Sequence, residues 1–334
     1  MPFVLYAERF FFDYKKYYNS LMFRFIRNRI LAAVAVLLTA MFAVFAILTY
    51  IPGSRLGYLG IEGSGDLLDR VFSLLGTEPN LFSRYLRYIY DVITRFHFAS
   101  GFRHHNLSAE ILTRTRLTLL LTLIGFLFIV VVGIVLGTLA ASKRGTWIDR
   151  IISVASMLTA SIPPFCLAIY LAMIFCVGLR LLPVFGYKKP INFILPTITI
   201  SASSLANTIQ ICRFEIIEEL NKPYVRNLRS RGQKEGVILF RHALKNAMLP
   251  TIAVIKEMTA SIFVSTFIAE WFYAIPGIGY YLIQAINSRD YGVILACTMV
   301  IAIVIIVFNI VSDILYCIFD PKLRGSEMGA GNNV

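Results

Sequence analysis

Charge is scarce in this chain of 334 residues: Asp, Glu, Lys and Arg make up 15% of it, against roughly 25% in an average soluble domain. Apolar residues make up 57%. A water-soluble fold could not hide that much apolar surface, so the soluble globular classes are excluded. Catalytic signatures are missing as well. There is no GxxxxGK[ST] phosphate loop, no HExxH and no G-x-S-x-G turn, which leaves no nucleotide cradle and no recognisable catalytic constellation. Cysteine is sparse and unpatterned: Cys166, Cys176, Cys212, Cys297 and Cys317 lie in or beside apolar runs without any CxxC spacing, and behave as small apolar residues. His104 and His105 are adjacent and lack further ligands, so they read as solvated loop histidines instead of a metal centre. No metal or cofactor is expected.

What is present is a series of long runs free of charge, at residues 30–54, 117–142, 151–179, 190–212 and 291–312. Each exceeds the roughly 20 residues that a helix needs to cross about 30 Å of hydrocarbon, where an unpaired backbone amide finds no partner. A sixth run, 247–268, is interrupted by Lys256 and Glu257, which must face protein or water instead of lipid. No other charge sits centrally in these runs, so the residues that drive ion-coupled carriers are lacking. A transporter built this way must borrow its energy from another subunit.

Six spans put both termini on one side. The segments proposed as inner (1–29, 143–150, 213–245 and the tail after Asp313) hold about nineteen Lys and Arg, against about twelve in the outer loops, which places the termini and the 213–248 loop in the cytoplasm. Arg180, Lys188 and Lys189 disagree, falling outside. The net charge of +13 reflects orientation and contact with anionic membrane lipid, since the basic residues flank the spans; a nucleic-acid partner is not expected. About ten Phe and Tyr alternate with Lys and Arg in residues 1–29, the chemistry of a segment in the headgroup region. A disordered tail, or a start at Met22, remains open for it. Residues 51–116 form a long outer segment with a short amphipathic helix in 80–96. Gly133, Gly137 and Ala141 make a face for close helix packing. Pro163 and Pro164 interrupt the third span and Pro196 the fourth, followed by Ser201, Ser203 and Ser204, which hints at a path through the bundle as much as at ordinary kinks.

The longest polar interruption among the apolar runs is 222–250, KPYVRNLRSRGQKEGVILFRHALKNAMLP, with about seven Lys and Arg and one histidine. A helix over 224–231 places Val225 and Leu228 on one stripe and Arg226 and Arg229 on the next. Gly232 permits a sharp change of direction, after which the chain re-enters a helix before a helix-restarting Leu249-Pro250. This is a docking surface and not an active site; a merely solvated loop would not need the apolar stripe.

These residues carry a resemblance. From about Met22 to Arg324 the chain resembles the membrane permease subunits of bacterial ATP-binding-cassette importers, in the branch serving oligopeptides, dipeptides, nickel and glutathione. The loop matches that family's ATPase-coupling motif through Arg213, Glu218 to Leu220, Tyr224-Val225-Arg226, Arg229, Gly232, Arg241-His242-Ala243-Leu244, Asn246-Ala247 and Leu249-Pro250. Further matches are NLFSRYLRY at 80–88, KRGTWIDR at 143–150, SIPPF at 161–165, LLPVFGY at 181–187, PGIG at 276–279, RDY at 289–291 and LYCIFDPKLR at 315–324. Departures are Asn227-Leu228-Arg229-Ser230-Arg231-Gly232 where the family reads T-A-R-A-K-G, and Pro223 where it has an acidic residue. They suggest a partner ATPase with an adjusted groove.

The resemblance implies an all-α polytopic membrane protein with six transmembrane helices, a type I importer permease bundle. Its parts would be an interfacial extension (1–29), a first helix and long outer loop (30–112), the transmembrane domain (113–318) and a cytoplasmic tail (319–334). It implies coupling residues Glu218, Tyr224, Val225, Arg226, Leu228, Arg229, Gly232, Arg241 and His242. The implied partners are a second homologous permease, two cytoplasmic ATPase subunits that hydrolyse the ATP, and an extracytoplasmic solute-binding protein. The expected cargo is an oligopeptide or dipeptide, with nickel or glutathione as alternatives. A non-transporting membrane scaffold that uses the same loop is the reading from another class.

Overall fold

The computed structural model describes residues 27–51, 81–95 and 107–319. Their secondary structure is helical throughout, with no strand among the described residues. The order is α1 (Arg27–Tyr50), α2 (Leu81–Arg95), α3 (Leu107–Ser142), α4 (Trp147–Ser161) and α5 (Pro164–Gly178). Then follow α6 (Ile194–Leu220), α7 (Pro223–Ser230), α8 (Glu235–Glu257), α9 (Thr259–Phe272), α10 (Ile278–Ser288) and α11 (Tyr291–Phe319). The 1–26 extension, the 52–80 part of the outer segment, His104, His105 and the tail after Phe319 lie outside the described residues.

The chain is an all-α multi-pass membrane protein. Four helices, Arg27–Tyr50, Leu107–Ser142, Glu235–Glu257 and Tyr291–Ile314, are long and apolar enough to cross a membrane, and α4 with α5 makes a fifth if that bent pair is one span. Helix α6, 27 residues long, is diluted by Thr and Ser. It packs against α3, α4, α5, α8 and α9, so its hydroxyls meet protein.

Several expectations are corrected. The run 151–179 is two helices bent by 111° instead of one continuous helix. Ile162 is extended (φ −89°, ψ 122°), because a residue before proline is driven out of the helical region, and Pro164 then starts α5 at its first position. Pro196 does not interrupt α6, because it falls in the first turn, where an amide has no helical partner to lose. Pro250 does not restart a helix: it lies inside α8, which reaches back to Glu235. The run 247–268 is divided between α8 and α9 at Met258, whose dihedrals stay helical (φ −78°, ψ −7°). Helix α3 begins at Leu107, so a boundary at 112/113 falls inside it.

The face of Gly133, Gly137 and Ala141 is where α3 meets α6. A Cβ at Gly133 would sit 2.7 Å from Thr208 Cγ2, and one at Gly137 2.7 Å from Cys212 Cβ. Small residues let two backbones approach in lipid, where no hydrophobic drive holds helices together. Ser201 is buried and donates to the Gly125 carbonyl at 3.3 Å, which makes it part of the same contact. The two helices run parallel: Gly125, Gly133 and Gly137 of α3 meet Ile200, Thr208 and Cys212 of α6 in the same order, and the N-terminal half of α3 also meets α9 and α10. The bundle thus has two ends, one marked by α7 and the other by α10.

Candidate coupling surface

Pro223 opens α7 as its first residue, a position that needs no amide and suits the fixed φ of proline. Val225 is fully buried and Leu228 half-buried, so the apolar stripe faces the permease itself. Arg226, Asn227, Arg229, Ser230 and Arg231 are exposed. The helix therefore presents a basic face outward and is anchored through its apolar one.

A second anchor is Glu219, buried in the last turn of α6. Its carboxylate accepts from Lys222 Nζ, from Tyr224 Oη at 2.8 Å and from Asn246 Nδ2 at 3.4 Å. Burial alone pushes this carboxyl up, and the hydrogen bonds from Lys222, Tyr224 and Asn246 outweigh it, holding the group below the ordinary glutamate value. One side chain thus joins α6, α7 and α8.

After α7 the chain turns in a Schellman arrangement. Gly232 N–H donates to the Arg229 carbonyl at 2.9 Å and Gln233 N–H to the Leu228 carbonyl at 3.2 Å, satisfying two terminal carbonyls. Gly232 has φ +75° with nothing within 4 Å of a would-be Cβ, so its freedom is a backbone need and not a spatial one. Arg229 clamps the corner with bonds of 2.7 and 3.2 Å to Glu235. The return leg begins α8 and widens into a π-helical turn at Ile238–Ala243. Ile238, Leu239 and Ala243 are buried there, with Leu239 packed beside Ala141, Cys212 and Ile216. Arg241 is exposed and His242 half-buried on that turn.

The structure thus brings Tyr224, Val225, Arg226, Leu228, Arg229 and Gly232 onto one short rod and corner, with Arg241 and His242 on the return leg. Glu218 points outward and is exposed, whereas its neighbour Glu219 is the buried hub. Glu219 falls within the matched stretch Glu218 to Leu220 but is not singled out by sequence reasoning as a coupling residue, although Cys212, Ile216 and Glu219 fall at i, i+4 and i+7 on one buried stripe of α6. Asp149, at the start of α4 and within the matched KRGTWIDR at 143–150, is likewise given no role there. Arg213 reaches that carboxylate with bonds of 2.5 and 2.8 Å, and Gly145 N–H donates to it at 2.9 Å. The Arg213 hydrogen bonds foremost hold Asp149 down to about 2. The 143–150 corner is tied in this way to the helix that carries the hub.

Two buried acids correct the expectation that only Lys256 and Glu257 bring charge into these helices. Glu270 is fully buried near the end of α9. It accepts from Thr118 Oγ1, from Gly279 N–H at 2.8 Å and from Tyr280 N–H at 3.2 Å, capping α10 from another helix. Asp313, buried in α11, receives Lys256 Nζ at 2.5 Å and Arg29 Nε at 3.0 Å. The expected spans end at 268 and 312, just short of both acids, whereas α9 and α11 continue through them.

Comparison with known proteins places the chain in a family. Residues 133–325 match the family described as binding-protein-dependent transport system inner membrane component. The chain is 29% identical over 311 residues to the dipeptide transport system permease protein DppB of Bacillus subtilis, covering 92% of this chain and 100% of that one. It is 27% identical over 304 residues to the glutathione transport system permease protein GsiC of Escherichia coli K12, covering 91% and 99%.

Proposed function

The chain belongs to the binding-protein-dependent transport system inner membrane components, the permease subunits of ATP-binding-cassette importers, and from that premise we propose that it forms half of a peptide path driven by separate ATPases. It crosses the bilayer six times, through α1, α3, the α4–α5 pair, α6, the α8–α9 pair and α11, with both termini and α7 in the cytoplasm. A second homologous permease faces it across the path. Two ATPase subunits hydrolyse the ATP and dock on α7, and a solute-binding protein delivers cargo at the α10 end.

The single observation that carries the coupling role is the exposed basic face of α7, mounted rigidly on α6 through Glu219 and Val225. A push on α7 reaches α6 directly, and α6 contacts most of the bundle. ATP, by binding the closed form of the ATPases better than the open one, would shift the bundle between inward-open and outward-open states. Cargo follows the relatives: DppB is named for dipeptides and GsiC for glutathione, itself a small peptide.

In proteoliposomes holding the full complex, labelled dipeptide uptake is expected to need ATP and the binding protein. Uptake of glutathione or nickel alone would move the assignment to that cargo, and no uptake of any of them would favour a scaffold. Orientation is checked by thiol labelling from outside intact cells, where Asn287→Cys reacts and Gln233→Cys stays protected; the reverse pattern inverts the topology.

A further inference from the structure

The charged pair Lys256-Glu257 has only half of its chemistry explained. Lys256 is turned inward, onto Asp313, which Arg29 also reaches. Consecutive helical residues point about 100° apart, so this pairing sets the rotation of α8 and directs Glu257 away from it. Glu257 is exposed. It falls in register with Pro250 and Val254 before it, and with exposed Ser261 and Val264 after it, at helical spacings of three and four.

Pro250 and Val254 are wall residues of a groove of about 460 Å³, shared with Ser153 and Met157 of α4 and Gln210, Arg213 and Glu215 of α6. The positive charge in that wall is spent: Arg213 is bound bidentately by Asp149. Glu215 has no hydrogen bond or ion pair among the described residues. The net sign along the groove and its continuation past Val254 is therefore negative. Lipid is a costly neighbour for a carboxylate, so the stripe bearing Glu257 lines protein or a water-filled cavity.

We infer that Glu257 is a substrate-facing residue of the permease path that selects for positively charged groups on the cargo, a free α-ammonium or a basic side chain. This rests on the peptide-importer reading and adds a charge preference residing in the permease itself, beyond that of any binding protein. The partner permease supplying a cation to Glu257 is the competing arrangement.

The test uses the full complex in proteoliposomes with three tripeptides that differ only at the central residue, Lys, Gln or Glu. The same binding protein serves every permease, so its own preference cancels in the comparison. Glu257→Gln is expected to lower uptake of the Lys peptide relative to the Glu peptide by about tenfold, the effect of losing one partly screened charge pair. Glu257→Asp should keep the wild-type ratio, and both variants should co-purify with the second permease. In addition, Glu257→Cys should react with a water-soluble thiol reagent and be protected by the Lys peptide. An unchanged ratio, or loss of the second permease from the Gln variant, overturns the inference while leaving peptide transport standing. Wild-type complex that moves no peptide overturns both.

Discussion

The two ends of the bundle each turn a corner on glycine, for opposite physical reasons. At the α7 end Gly232 stands in open space with φ +75°, so the corner needs a residue tolerant of left-handed backbone. At the α10 end Gly277 has an ordinary φ of −85°, yet a Cβ there would collide with the Glu270 carboxylate, and one at Gly279 would lie 2.5 Å from Phe267 Cδ1. The second corner is welded by proximity. The first is shaped by dihedral angle and left clear on its outer side, which suits the ATPase docking proposed for it. Carboxylates follow the same division: Glu235 meets Arg229 in solvent, while Glu270 is sealed between α3, α9 and α10 by hydrogen bonds from Thr118 and the Gly279 amide.

The largest effect is expected from breaking the welded corner. Glu270→Ala leaves Thr118 and the Gly279 and Tyr280 amides without their acceptor in a buried place, a loss of about 2–4 kcal/mol. Little folded permease should accumulate in membranes, and the solubilised protein should aggregate at lower temperature. Wild-type accumulation would mean that α10 is held by packing alone.

Gly232→Val sharpens the contrast, because it strains the backbone by about 1–3 kcal/mol without touching a neighbour. Folded permease is expected in normal amount, with weakened co-purification of the ATPases and lost solute-stimulated hydrolysis. Gly232→Asn, which tolerates the left-handed region, should recover most of the association. Normal coupling in the valine variant would remove this corner from ATPase docking.

The smallest effect belongs to Arg229→Ala. An exposed ion pair contributes less than about 1 kcal/mol, so thermal stability should stay near wild type. ATPase association should fall only modestly, read as a shift in the concentration needed for half-maximal hydrolysis. A collapse in stability would show that the corner depends on the Glu235 clamp more than on the Schellman bonds.

Much of this comparison is legible in the chain. Gly232 after an eight-residue amphipathic segment reads as a helix stop, because local backbone chemistry acts over a few residues. The α2 helix, observed at Leu81–Arg95, was visible in its own periodicity. Glu218 and Glu219 show the limit. Both sit in the last turn of α6, and only the neighbours that cover one face decide which is the hub. Pro163-Pro164 reads as a break, but its 111° is set by what α5 packs against.

By itself the sequence determined an all-α membrane protein with a basic, glycine-cornered loop between apolar runs. Its charge-free runs are long enough for membrane-spanning helices, and its motif matches extend along most of the chain. Tertiary structure alone decided that Glu219 binds Lys222, Tyr224 and Asn246, that Glu270 caps a helix it does not belong to, and that Lys256 turns to Asp313 and so leaves Glu257 facing out. The physical reason is range. Helix propensity, capping and hydropathy act within a few residues, whereas the fate of a charge in a membrane depends on which distant segment arrives to neutralise it.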